Sequence, residues 1–293
     1  MRTRCSRTMA RSRRSSPLQK RLRNVPARAV AYPLDPHVLA LATRERAREL
    51  LKRAFPRRRG KLALARTVAE FTAAFGKSLV DAVIVDVAHP TEETWKAAAL
   101  ARDYPSVPFF ALTPLRVADT AALSRCVDGD FADVLVEGMD DTAVRDLVMP
   151  QSFTARFSAA LNDAHLALGL DNRIQERAWR AIVAHGGRTV RTETIAAQLH
   201  VTREHLSRSF AAAGSPNLKR IIDLVRLIAA AELAKNPGYD VSDVARVLEF
   251  ASPSHLTSTA QRIVGTRSAS LARLRTGDLI ERFRQGRGRS RNL

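Results

Sequence analysis

Arg208 carries the most specific chemistry that this chain offers. It lies in Glu193-Thr-Ile-Ala-Ala-Gln-Leu-His-Val-Thr-Arg-Glu-His-Leu-Ser-Arg-Ser-Phe210. There Leu206 and Phe210, at i, i+4 spacing, face a core and turn Arg203, Glu204, Ser207, Arg208 and Ala211 outward. A guanidinium pairs bidentately with guanine, and such a face can enter a major groove with the N-terminal half of its helix at the base edges. The plain alternative for Arg208 is a surface ion pair with Glu204 at i, i+4. Arg203, Lys219, Gln261 and Arg262 are candidates for phosphate contacts from charge and helix face alone.

Catalytic constellations are not found. Gly76-Lys77-Ser78 has the end of a phosphate-binding loop, but that motif needs a glycine where Phe71 stands. The seven histidines lack metal-ligand spacing with cysteine or carboxylate, and no Gly-x-Ser-x-Gly turn occurs. His205 and His255 sit on the two presumed recognition helices, where packing or phosphate-side roles are commoner than metal binding. No enzyme and no cofactor are expected.

The elements that would position these residues form an internal repeat. Val241-Ser-Asp-Val-Ala-Arg-Val-Leu-Glu-Phe-Ala-Ser-Pro-Ser-His-Leu-Thr-Ser-Thr-Ala260 repeats the first run, with Ala196 matching Ala245, Leu206 matching Leu256 and Gly214 matching Gly265. Each copy reads as helix, tight turn, helix. Ile195 and Leu199, then Val244 and Leu248, line the first helices. Thr202 and Ser252 are the expected N-caps of the second helices, with Pro253 in the first turn. Residues 216–236 predict one long joining helix, capped by Ser215 and stopped by Asn236-Pro237-Gly238. It would run roughly 30 Å, commensurate with the about 34 Å between successive major grooves on one DNA face.

Charge agrees with a polyanionic partner. The net charge is +19, and it sits at the ends: 1–30 holds ten Lys or Arg and no acid, whereas 31–150 has 16 cations against 17 acids and 171–293 has 21 against 11. Each phosphate contact would release counterions. Two distant cysteines, Cys5 and Cys126, fit a reducing cytoplasm without a disulfide framework, and no stretch approaches the ~20 apolar residues of a membrane helix. The Arg- and Ser-rich residues 1–30 are expected to be a disordered basic tail, not a secretory signal, or upstream sequence before an internal start at Met9.

From about 171 to 275 the chain resembles the DNA-binding domain of the AraC/XylS family of bacterial transcription regulators. The resemblance rests on Ile-Ala-x-x-Leu, His-Leu-Ser-Arg-Ser-Phe, Arg226-Leu-x-x-Ala230, Val-Ala-x-x-x-x-Phe-x-Ser-x-Ser-His-Leu and Gly265. It implies that Glu204, Ser207 and Arg208 read bases in the first unit and Ser254, Thr257 and Ser258 in the second. Ala260 stands where the family usually has Phe, Ser258 where a basic residue is common, and the usual Pro after Gly265 is missing. The first unit is therefore expected to grip DNA more strongly.

Residues 37–150 alternate apolar runs (37–43, 61–66, 82–87, 107–112, 132–136) with helical patterns (44–55, 68–75, 91–102, 120–126, 141–147), predicting an α/β, flavodoxin-like parallel sheet covered on both faces. Asp81-Ala-Val-Ile-Val-Asp86-Val-Ala-His-Pro90 and Val107-Pro-Phe-Phe-Ala-Leu-Thr113 resemble the receiver domain of response regulators. By that resemblance Asp86 is the phospho-acceptor and Thr113 the switch hydroxyl. Ala42-Thr43 replace the acidic pair that would hold Mg²⁺, and Glu137-Gly138 the lysine. Phosphoryl transfer needs metal and positive charge, so a pseudo-receiver is expected.

The expected plan is a basic tail (1–30), a receiver-like α/β domain (31–150), a linker helix (151–170), an all-α domain of two helix-turn-helix units joined by a long helix (171–276) and a second basic tail (277–293). In that tail Arg284, Arg287, Arg289 and Arg291 either touch phosphates or are solvated. The expected function is a cytoplasmic, nucleoid-associated transcription regulator binding promoter DNA, with RNA polymerase as a partner, homodimerisation through the N-terminal domain and no membrane. The alternatives are a phosphorylation-dependent response regulator using Asp86, and an interaction adaptor that no longer reads DNA.

Overall fold

The apolar runs become five parallel strands: β1 (His37–Leu41), β2 (Lys61–Ala65), β3 (Ala82–Asp86), β4 (Phe109–Thr113) and β5 (Asp133–Val136). They lie in the order β2-β1-β3-β4-β5, with Val38 opposite Ala82, Val83 opposite Phe109 and Ala111 opposite Val134. This is the 2-1-3-4-5 flavodoxin-like arrangement, whose switch point falls between β1 and β3. The computed structural model describes residues 36–211 and 216–289. Outside it lie the N-terminal tail with Cys5, Gly214, Ser215 and Arg291; the side chains of Arg287 and Arg289 are also outside the described set.

Alternation of side chains along the strands builds two layers of core. Val38, Ala40, Ile84, Phe110 and Leu112 face α1 (Glu45–Ala54) and α5 (Asp141–Val148), packing on Leu50, Leu51, Val144 and Val148. Leu39, Val83, Val85, Phe109 and Ala111 face the other way, with α2 (Val68–Phe75), α3 (Glu92–Asp103) and α4 (Thr120–Asp128). Thr67 caps α2 by accepting the Glu70 amide, and Thr91 caps α3 in a reciprocal box with Thr94. Cys126 is buried and unpaired, and burial pushes its thiol up to about 11.

The helical half begins with α6 (Phe153–Ala160) and the single turn α7 (Ala164–Ala167), then α8 (Arg173–Val183), α9 (Thr192–Gln198), α10 (Arg203–Ala211), α11 (Leu218–Leu233), α12 (Val241–Val247), α13 (Pro253–Val264) and α14 (Thr276–Arg289). Residues 153–161 pack inward through the stacked Phe153 and Phe157 and through Leu161, whose carbonyl accepts the Trp179 indole at 2.9 Å. Two expectations change. The joining helix α11 starts at Leu218, where Asn217 accepts the Arg220 amide; Pro216 precedes the cap, and the helix spans about 24 Å, not 30. Residues 277–289, expected within a basic tail, form most of α14, in which Leu279, Ile280 and Phe283 share one buried apolar face.

One core runs through both halves. The lower, N-terminal ends of the strands meet the helical half. There Phe75, Tyr104 and Tyr239 form an aromatic cluster, with Tyr104 edge-on to both others at 4.6 Å. The Tyr104 hydroxyl donates to the Gly238 carbonyl at 2.9 Å, the Gly238 amide to Asp103 O at 3.0 Å, and the Ser106 amide to the Asn236 side chain at 2.9 Å. A Cβ on Gly238 would overlap the Tyr104 ring, so this approach needs glycine. Beside it, fully buried Asp81 accepts the His37 amide at 2.8 Å, the Thr154 amide at 3.2 Å and the Arg188 guanidinium at 2.5 Å. Burial, with Lys61 and Arg188 nearby, lowers His37 to about 4 and leaves it neutral at pH 7.

Candidate functional site

The two helix pairs are built alike, and the likeness extends further than the matching residues suggested. In the first, α9 ends at a turn where His200 takes φ 57° and the Val201 amide reaches Ala196 O at 3.0 Å. In the second, α12 ends where Glu249 takes φ 58° and the Phe250 amide reaches Ala245 O at 2.8 Å. Left-handed backbone at a non-glycine residue is costly, and here it recurs at the same point of both turns. Each turn is held by an arginine from the preceding long helix. Arg177 donates to Leu199 O at 3.2 Å, and Arg226 to Leu248 O at 3.0 Å and Glu249 O at 3.1 Å. Such bonds satisfy carbonyls left over at a helix C-terminus. The Arg226 guanidinium also lies 3.9 Å over the Phe250 ring. Arg226, which pattern marked only by position, thus gains a physical role, and Arg177, which pattern did not mark, plays the same one.

The second helix of each pair is capped where expected. Thr202 accepts the His205 amide at 3.1 Å and Ser252 the His255 amide at 3.0 Å, with Pro253 opening α13. Leu206 and Phe210, like Leu256 and Ala260, are buried, and Gly265 ends α13 at φ 65°. On α10, Arg203, Glu204, Ser207 and Arg208 are all exposed. Arg203 pairs with Glu193 at 3.3 Å, whereas Arg208 has no ion pair among the described residues; the pair with Glu204 is not formed.

The face of α13 is more self-satisfied. Ser254 and Gln261 are exposed. Thr257, half-buried, bonds Pro253 O at 3.1 Å and the Ser268 hydroxyl at 2.7 Å, and Ser258 donates to His255 O at 3.1 Å. Arg262 is tied to Asp223 of α11 at 3.0 Å, and exposed Lys219 lies in the first turn of α11.

At the opposite, upper end of the sheet stands Asp86, the last residue of β3, its side chain 3% exposed. Both of its oxygens are taken by Arg44, from the loop after β1: Nη2 to Oδ1 at 2.6 Å and Nε to Oδ2 at 2.9 Å. The Arg44 guanidinium also contacts Glu137, which follows β5 and is equally buried. Burial pulls Arg44 down, but hydrogen bonds to Asp86 and Glu137 outweigh it and hold the guanidinium above its ordinary value. The Thr113 hydroxyl donates to Asp119 at 2.7 Å, and the Arg116 amide holds the Asp119 carboxyl below its usual range.

These residues do not suit Mg²⁺. Ala42 and Thr43 bring no carboxylate, and a fixed cation already occupies the Asp86 oxygens. Among the described residues no group of three or more His, Cys, Asp or Glu is arranged to hold a metal ion. Sequence reading noted the lost acids and the glutamate in place of lysine, but missed Arg44. The available signal was a new cation one residue beyond the lost pair.

Comparison with known proteins matches residues 195–273 to the family model described as a helix-turn-helix domain. The helical half therefore carries a helix-turn-helix domain. It is joined to an α/β half with the flavodoxin-like strand order. No curated protein matches the sequence. Among solved structures, the chain is similar to the signal receiver domain of an HD domain-containing protein from Pseudomonas fluorescens Pf-5 (21% identity, 40% of this chain, 90% of that one, TM-score 0.35). It is also similar to a response regulator from Thermotoga maritima (17%, 40% and 98%, 0.36) and to full-length FixJ from B. japonicum (13%, 82% and 98%, 0.35). The flavodoxin-like assignment rests on strand order and register. No helix among the described residues is long and apolar enough to cross a membrane.

Proposed function

We propose that this chain is a sequence-specific, DNA-binding transcription regulator. It acts on promoter duplex in the cytoplasm, at the nucleoid, where it meets RNA polymerase. The observation that carries this reading is the open face of α10, where Arg208, beside Glu204 and Ser207, has no ion pair among the described residues, displayed by a turn that recurs 49 residues later. Base contacts by Ser254, Thr257 and Ser258 are weaker in this reading, because Thr257 and Ser258 already have partners. Arg203, Lys219, Gln261 and Arg262 serve the phosphates, Arg262 after release from Asp223.

On a duplex selected by the full chain from random sequence, Arg208→Ala should cost about 1–3 kcal/mol of specific binding and relax one base position. An unchanged motif and affinity would remove that role.

The α/β half is proposed to act as a pseudo-receiver, serving signal input or pairing of two copies. Support comes from Arg44, which neutralises Asp86 from within the fold. Incubation with a small phosphodonor and Mg²⁺ should leave the intact mass unchanged. Stoichiometric addition of one phosphoryl group, abolished by Asp86→Asn, would instead establish phosphorylation-dependent control.

A further inference from the structure

The family match ends at residue 273, yet the fold continues into α14, which turns Leu279, Ile280 and Phe283 into the core against α11 and α13. This helix, the 3-10 turn Ser268–Arg273 before it and that turn's N-cap Arg267 display Arg267, Arg273, Arg275, Arg282 and Arg284, all exposed. None of the five makes an ion pair among the described residues. Two acids on α14 offset only part of this charge: Asp278 accepts the Arg275 amide at 2.9 Å and Glu281 accepts the Gln285 side chain at 3.1 Å.

Position singles out the occupant. The Thr257 to Ser268 hydroxyl bond fixes the start of the 3-10 turn, and with it Arg267, beside the first half of α13, the half that faces base edges in a docked helix. Arg220, from the first turn of α11, lies 5.3 Å over the buried Phe283 ring, which Arg282 and Arg284 flank on either side. Uncompensated guanidinium groups next to a recognition helix are complementary to a phosphate backbone and carry no base preference of their own.

We infer that Arg267, Arg273, Arg275, Arg282 and Arg284 form a clamp for DNA phosphates beside the second helix pair, lying partly beyond the matched domain. The clamp rests on the proposed DNA binding and explains how the second unit holds DNA although its hydroxyls are largely satisfied within the protein.

The test is binding of the full chain to its selected duplex across a salt series, for wild type and for the combined Arg267→Gln, Arg282→Gln, Arg284→Gln variant. Three phosphate contacts predict that the slope of log affinity against log salt becomes shallower by about 2–3, with the selected motif unchanged. The corresponding lysine variant should keep the wild-type slope. An unchanged slope in the glutamine variant, or an altered motif, would overturn the clamp. A wild-type chain that binds duplex without preference would remove the regulator reading yet leave the slope comparison intact; binding to no duplex would overturn both.

Discussion

Replacing Arg188 with methionine is expected to lower the unfolding free energy by about 3–5 kcal/mol, a large share of a typical domain's stability. The reason is the site that the guanidinium serves. Asp81 is fully buried at the start of β3, and Arg188 supplies its counter-charge at 2.5 Å while also bonding Leu79 O at 3.2 Å. Methionine keeps much of the aliphatic volume and removes the charge, leaving the carboxylate to neutral donors: the His37 amide and the Thr154 amide and hydroxyl. A denaturant titration should show a lower midpoint at unchanged slope. Adding Asp81→Asn should recover part of the loss, since the stranded charge is the costly element. A loss under about 1 kcal/mol for Arg188→Met would show that the neutral donors suffice.

Phe75→Ala should cost about 3–5 kcal/mol, and both halves of the molecule should register it. Phe75 is 3% exposed and packs among Phe71, Tyr104, Phe109 and Tyr239, with ring centroids from 4.6 to 6.5 Å away. Phe71, Tyr104 and Phe109 belong to the α/β half, and Tyr239 sits just before the second helix pair. The two tryptophans report on the two sides, Trp95 in α3 and Trp179 in α8. In single-tryptophan variants the two unfolding transitions should coincide in wild type and shift together in the mutant. Separate transitions, with only Trp95 moved, would mean that the halves unfold independently and the shared core adds little.

The strands were legible because five buried parallel strands leave near-continuous apolar runs, and all five appear within two residues of their expected ends. The helix pairs were legible through paired caps, Thr202 and Ser252, and through the spacing of Leu206 and Phe210. Composition misled at 277–289, where arginine and glycine hid the spacing of Leu279, Ile280 and Phe283. What binds the halves together left no local trace. Tyr104 and Tyr239, or Asp81 and Arg188, are more than a hundred residues apart, and each alone reads as an ordinary polar or aromatic residue. The Arg44 contact with Asp86 was hidden for a related reason: strand order, not sequence proximity, brings the ends of β1 and β3 together. Local pattern likewise exposed the face of Arg208 but not which of its neighbours would be paired.

The most direct measurement is a footprint of the full chain on the duplex it selects from random sequence, with affinity followed across salt. A regulator reading DNA with both helix pairs should protect two major-groove blocks about one helical turn apart, and bind them far more tightly than unrelated duplex. Steep salt dependence without sequence preference and without defined protection would contradict it, and would bring forward an interaction protein whose basic surface meets DNA only as a polyanion.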